Sequence, residues 1–160
     1  MSRNGEAVTL AVLYEGDVCG APFVDPGADA DLVLEAMTER TVVYRIPWEL
    51  VKQLWSSYPE IAEEAHKVTR ERLQTAYARM KSLRSEPVTI RLRRALKQLA
   101  ERDPHHVVPL TRQELGTIVS ASREEVSRAI GDLDASGLIV TESRGRIVVP
   151  NPPKLDPDEG

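Results

Sequence analysis

The stretch "SASREEVSRAIGDL", residues 120–133, sets the reading of this chain. Projected at about 100° per residue, Arg123, Glu124, Ser127, Arg128 and Gly131 fall on one arc, and Val126, Ala129, Ile130 and Leu133 on the other. One side is core and the other polar. Ser122 followed three residues later by Glu125 is a capping box, with Ala121 and Val126 as a small staple. The helix therefore starts at Arg123. Its first turn is where a helix entering a DNA major groove places its base-reading side chains, and Arg and Glu suit guanine and cytosine edges. The plainer alternative is a solvated face of mixed charge, and this helix alone leaves both open.

The preceding "LTRQELGTIVS" repeats the start signal: Thr111 and Glu114 form a second capping box, with Leu110 and Leu115 as its staple. A helix from Arg112 to about Val119 buries Leu115, Ile118 and Val119, and Gly116 allows another backbone to approach. Two short helices, each capped afresh and separated by Ser120, Ala121 and Ser122, describe a helix-turn-helix. The turn carries Ser120 where glycine is more usual, so it must tolerate a side chain. In "GLIVTESRGRIVVP", Leu138 to Thr141 and Ile147 to Val149 are β-branched runs around a turn at 143–146, a hairpin, with Gly137 as the preceding helix stop. A hairpin after a helix-turn-helix is a winged helix. Arg144 and Arg146 at its tip are placed to meet DNA phosphates.

The run "LTRQELGTIVSASREEVSRAIGDLDASGLI" closely resembles the DNA-binding domain of the Crp/Fnr regulators, over residues 88–149. The resemblance implies base-reading roles for Arg123, Glu124 and Arg128, with Ser127 on the same face. It puts Thr111, Arg112, Gln113 and Ser122 on backbone-holding positions and implies a half-site similar to TGTGA. Glu125 departs from the family pattern, where a threonine lies near the DNA backbone.

The net charge of −4 becomes compatible with DNA once it is divided along the chain. Residues 1–87 hold ten Lys/Arg against fourteen Asp/Glu, residues 88–149 ten against eight, and residues 150–160 one against three. Affinity must rest on a few placed arginines and on dimerisation. The single cysteine, Cys19, excludes an internal disulfide and a four-cysteine cluster from one chain. With no signal peptide and no apolar run long enough for a bilayer, one or two small cytoplasmic domains without membrane contact are expected.

Upstream, a helical region from about Trp48 to Leu83 is interrupted at most by Pro59. Ile61, Ala65, Val68 or Thr69, Arg72 or Leu73, Ala76, Met80 and Leu83 recur at near 3.5-residue spacing, a seam with small residues. Packing on its own domain is the alternative, with Leu73 and Tyr77 on the other face. A parallel homodimer fits both the seam and the need of one small helix-turn-helix for a palindromic partner, and the resemblance matches this helix to the family's dimerisation helix. Ser85-Glu86-Pro87 then breaks the helix as a hinge.

In residues 1–47, "AVTLAVLYEGD", "DLVLEAM" and "TVVYRI" read as strands around the polar loop "VDPGADAD". "YEGDVCGAPF" looks like a segment of the family's cyclic-nucleotide-binding roll, but only about half of that roll's strands are expected here, leaving open edges. The family's sugar-binding glutamate falls at Ala21, and its phosphate-binding Arg-Ser falls near Asp29-Ala30-Asp31. Acids there repel a phosphate. Cyclic AMP is therefore not expected to bind in the family's manner, and no cofactor is expected.

His105-His106 reads as a solvent-facing loop without a third metal ligand, and nothing visible lowers the pKa of Cys19. No nucleophile-base pair, phosphate loop or paired carboxylates stand out, so enzymatic activity is not expected. The proline-rich, acidic tail "PNPPKLDPDEG" reads as mobile. The expected architecture is α+β: a truncated β-roll over 1–47, a dimerisation helix and hinge over 48–86, a winged helix-turn-helix over 87–150 and a mobile tail over 151–160. The expected function is a homodimeric transcription regulator acting on double-stranded DNA, with RNA polymerase as a candidate partner. A ligand- or redox-gated sensor and a protein-interaction module are the rivals.

Overall fold

The structure, a computed structural model, describes residues 9–19, 33–37 and 40–157. It divides into two units, Leu13–Arg79 and Met80–Gly160 with Ser2–Val12.

In the first unit, helix α1 runs over Trp48–Ser57 and helix α2 begins at Pro59 and continues to Ser85. Tyr58 between them is extended, with φ −135° and ψ 90°. A residue before proline is pushed out of the helical region, and proline is well suited to a first helical position. The chain therefore breaks and restarts at one residue, where the sequence admitted an interruption. Trp48 and Trp55, two turns apart on α1, meet edge to face with ring centroids 5.4 Å apart. No residue of α1 or α2 is buried.

The strands expected upstream of α1 do not form among the described residues. Residues 9–19, 33–37 and 41–46 contain no strand, and Val33, Val42, Val43 and Tyr44 are more than half exposed. Strands need partners to satisfy their backbone groups and cover a face. Among the described residues these stretches carry the alternation yet form no strand, so alternation alone does not make a sheet. Thr9 instead joins the second unit: its amide donates to the Thr117 carbonyl at 3.2 Å, and the two hydroxyls lie 2.8 Å apart.

The second unit holds the core. Helix α3 spans Val88–Ala100, strand β1 Val107–Val108, helix α4 Arg112–Val119 and helix α5 Arg123–Ala135; strands β2 Val140–Thr141 and β3 Ile147–Val148 follow. The three strands form an antiparallel sheet in the order β1-β3-β2, with Val148 facing both Val107 and Val140. Helices with this small sheet make the class α+β, as expected. The β2–β3 connection contains a 3₁₀ turn at Ser143–Gly145, and the strands are shorter than the apolar runs that suggested them. Strand β1 gave no periodic signal: two residues exist as a strand only because β3 lies beside them.

Leu92, Leu96 and Ala100 from α3, Leu115 and Val119 from α4, and Val126 and Leu133 from α5 are buried together. Gly137, at φ +72°, ends the α5 segment in the left-handed conformation that favours glycine, and the Leu138 amide donates back to the Leu133 carbonyl at 3.1 Å.

The tail is not mobile over residues 152–157. A 3₁₀ turn at Pro152–Leu155 buries Pro152 and Leu155, and Leu155 belongs to the core. Arg93 of α3 donates from Nε to the Leu155 carbonyl at 3.1 Å, and from Nη2 to those of Asp156 at 3.0 Å and Lys154 at 3.3 Å. Lys97 pairs with the Asp156 carboxylate. Composition marked this segment as unable to build a core, but one leucine, one proline and backbone carbonyls are enough to dock on an existing one.

Candidate nucleic-acid interface

Two capping boxes fix the helices that present this surface. Thr111 Oγ1 accepts from the Glu114 amide at 3.2 Å while Glu114 Oε2 accepts from the Thr111 amide at 2.6 Å. Ser122 Oγ accepts from the Glu125 amide at 3.2 Å, and Glu125 Oε2 accepts from both the Ser122 amide and its hydroxyl at 2.8 Å. Each box satisfies amides that a helix start leaves without partners. The position where Glu125 departs from the family pattern is thus used internally. The bond from the Ser122 backbone, followed by that from its hydroxyl, holds the Glu125 carboxyl below the usual range, and the charges of Arg128 and Arg91 add to the effect.

Between the boxes the chain turns at Ser120, in the left-handed region at φ 52° and ψ 59°. The Ala121 amide donates to the Gly116 carbonyl at 3.0 Å, and a Cβ on Gly116 would lie 2.7 Å from the Ala121 carbonyl oxygen. The close backbone approach read from Gly116 is therefore made by the turn itself.

With Val126, Ala129, Ile130 and Leu133 buried, α5 turns Arg123, Glu124 and Arg128 outward, and Ser127 is half-buried at the edge of that face. A groove of about 560 Å³ lies beside its start, lined by Thr111, Arg112, Gln113, Arg123, Gly145 and Arg146 among others. Arginines from α4, α5 and the β2–β3 hairpin thus line it together. A Cβ on Gly145, at φ +79°, would lie 3.5 Å from Arg112 Nη1, so the hairpin tip and the start of α4 are in van der Waals proximity. Arg146 faces Glu142 at 3.7 Å, both largely exposed. Glu124, Ser127 and Arg128 stand outside this groove on the open face of α5. The side chain of Arg144 lies outside the described residues, as do Ala21 and the Asp29-Ala30-Asp31 loop.

The seam positions all lie on α2. Ile61, Thr69, Ala76, Met80 and Leu83 are exposed and Ala65 and Val68 half-buried, with the Thr69 hydroxyl donating back to the Ala65 carbonyl at 2.7 Å.

Of the remaining candidates, Cys19 is exposed and, among the described residues, no group of three His, Cys, Asp or Glu side chains is placed to hold a metal. His105 faces solvent, but His106 does not fully: it is half-buried at φ 54°, its Nδ1 is buried without a partner, and its carbonyl accepts from the Val149 amide at 3.0 Å. The loop is folded inward by Asp103, whose carboxylate accepts from the amides of His105 and Val107, too local an effect to show in hydropathy. Among the described residues, no helix is long and apolar enough to cross a membrane.

Two capped helices around a left-handed turn, with a cationic groove completed by a hairpin, define a helix-turn-helix protein. Residues 90–157 match the Crp-like helix-turn-helix domain. The "cAMP-activated global transcriptional regulator CRP" of Salmonella typhimurium is 28% identical over 154 residues, covering 92% of this chain and 72% of that protein. Among solved structures, FixK2 from Bradyrhizobium japonicum superimposes with a TM-score of 0.60 at 21% identity, over 67% of this chain and 56% of that one. A CRP/FNR-family transcriptional regulator from Thermus thermophilus gives 0.55 at 26% identity, over 64% and 57%. The chain thus spans little more than half the length of these solved relatives. Residues 90–157 thus carry a Crp-like helix-turn-helix domain, and the chain is similar to regulators of the CRP/FNR type.

Proposed function

We propose that the chain works as a homodimer that reads a palindromic DNA site through α5, without cyclic AMP. The observation that carries this reading is the open face of α5, where Arg123, Glu124 and Arg128 stand beyond a buried apolar face and beside a groove lined by three arginines. Arg123 and Arg128 donate to guanine O6 or N7, Glu124 accepts from a cytosine N4 amine, and Ser127 lies against the same bases. Thr111, Arg112, Gln113, Arg144 and Arg146 hold phosphates and set the register. Ser122 shares that role only by releasing Glu125, because its hydroxyl proton is committed to the cap.

Dimerisation through α2 is supported by its burial pattern. A helix of 27 residues with no buried residue leaves Ile61, Met80 and Leu83 exposed at a spacing that a second copy can cover. The paired wing of β2 and β3 supports a winged helix. Independence from cyclic AMP rests on sequence alone: Ala21, Asp29 and Asp31 offer neither the glutamate nor the cation that the nucleotide needs.

The test is fluorescence anisotropy of the effector-free protein on a palindromic duplex of TGTGA-like half-sites and on a scrambled duplex, across a salt series. We expect two chains per palindrome and preference for it, and Arg123→Ala to cost about 1–3 kcal/mol at the cognate base pair. Equal weak binding to both duplexes, or unchanged discrimination in Arg123→Ala, overturns the reading.

A further inference from the structure

One arginine of α3 touches both ends of the segment that aims the recognition helix. Arg91 donates from Nη1 to the Glu86 carbonyl at 2.8 Å, in the two-residue connection between α2 and α3. From Nε it donates to the Val119 carbonyl at 3.0 Å, and from Nη2 to the Ser120 carbonyl at 3.3 Å. Val119 is the last residue of α4 and Ser120 the left-handed residue of the turn. Helix ends leave their final carbonyls without helical partners and carry partial negative charge, so a guanidinium there is favourable. The Glu86 anchor is itself fixed: its carboxylate accepts from Arg94 Nη1 at 2.6 Å and from the Ser82 hydroxyl. The Arg94 and Ser82 bonds also hold that carboxyl below the usual range.

The turn at 120–122 sets the angle between α4 and α5, and therefore where Arg123 and Arg128 point. A planar guanidinium holds its N–H groups in a rigid fork, so bonds to three carbonyls from two segments fix their separation within hydrogen-bond tolerance. We propose that Arg91 is a positioning residue for DNA reading: it pins the helix-turn-helix turn to the α2–α3 connection and so sets the aim of α5. This rests on the DNA-reading function proposed above.

Arg93, two residues along the same helix, supplies an internal control. It too donates to three backbone carbonyls, but those of the tail at 154–156, away from the turn. If Arg91 contributed only stability, the two would behave alike.

The experiment compares the full chain with Arg91→Gln, Arg91→Lys and Arg93→Gln, on a duplex selected by the wild-type chain from a random library and on a scrambled duplex, with Tm measured for each. Arg91→Gln should lower the ratio of specific to non-specific affinity by roughly tenfold, the scale of losing a charge-assisted tether. Arg91→Lys, which reaches fewer carbonyls, should recover part of the ratio. Arg93→Gln should lower Tm while leaving the ratio within about twofold, as expected for a change confined to stability. A ratio unchanged in both Arg91 variants, or lowered equally by Arg93→Gln, overturns the proposal. If Arg91→Gln does not fold, Arg91→Lys decides: a lowered ratio supports the positioning role and an unchanged one removes it. A wild-type chain that selects no sequence at all overturns the DNA-reading function itself, an outcome distinct from either.

Discussion

Helices α2 and α3 are separated only by Glu86 and Pro87, yet they bury very different amounts of apolar surface. Over 13 residues α3 places Leu92, Leu96 and Ala100 at 0% exposure, whereas over 27 residues α2 buries nothing and leaves Leu73 at 53%, Tyr77 at 63% and Met80 at 66%. Both carry helical apolar spacing. The difference lies in what surrounds them: α3 is met by α4, α5, β1 and the tail, while no residue of α2 is buried by the described residues. Periodicity reports which face is apolar; burial requires something to cover it.

The largest expected effect tests that contrast directly. Leu96→Ala should cost about 2–5 kcal/mol in urea unfolding, because a fully buried leucine leaves a cavity. Tyr77→Ala should stay within about 0.5 kcal/mol as an exposed change. Similar losses at the two positions would erase the distinction between the helices.

A smaller effect is expected at the turn. Ser120 sits at φ 52°, where a side chain crowds the following carbonyl, so Ser120→Gly should raise stability by about 1 kcal/mol, read from the urea midpoint. A loss instead would mean that the Ser120 side chain contributes contacts that outweigh its backbone strain.

The smallest effect concerns acid. Backbone amides of Val107 and His105 hold the Asp103 carboxyl below the usual range. A carboxyl depressed in the folded state contributes stability that is fully present above its unfolded pKa and is lost as pH falls through the folded value. Asp103→Asn, which takes up no proton there, should show a shallower fall of Tm on the acid side. An identical slope would show that the loop does not depend on that charge.

The parts of the fold legible in sequence are those fixed within three or four residues. Thr111 with Glu114, and Ser122 with Glu125, sit one helical turn apart, so both helix starts and the turn between them follow from local geometry. Gly116 and Ser120 were readable for the same reason. The strands expected upstream of α1 showed only alternation in the sequence, and over the described residues 9–17, 33–37 and 41–46 that alternation did not suffice to form them. Strand β1 and the docked tail were missed because neither has a pattern of its own: each exists through residues 39 or more positions away.

The open face of α5, carrying Arg123 and Arg128, was readable because its neighbours Val126, Ala129 and Ile130 had to be core at helical spacing. The inward roles of Arg91 and Arg93 were not. In the sequence they are two more cations on a basic helix, and only the structure shows one holding carbonyls 28 and 29 residues ahead and the other holding carbonyls 61 to 63 residues ahead. Sequence dictates where these helices start and which of their faces are apolar, since those depend on neighbours within reach of one side chain. Which arginines remain exposed for a ligand and which are bound to backbone carbonyls follows from the tertiary fold, because a guanidinium's partners are set by segments that folding brings to it.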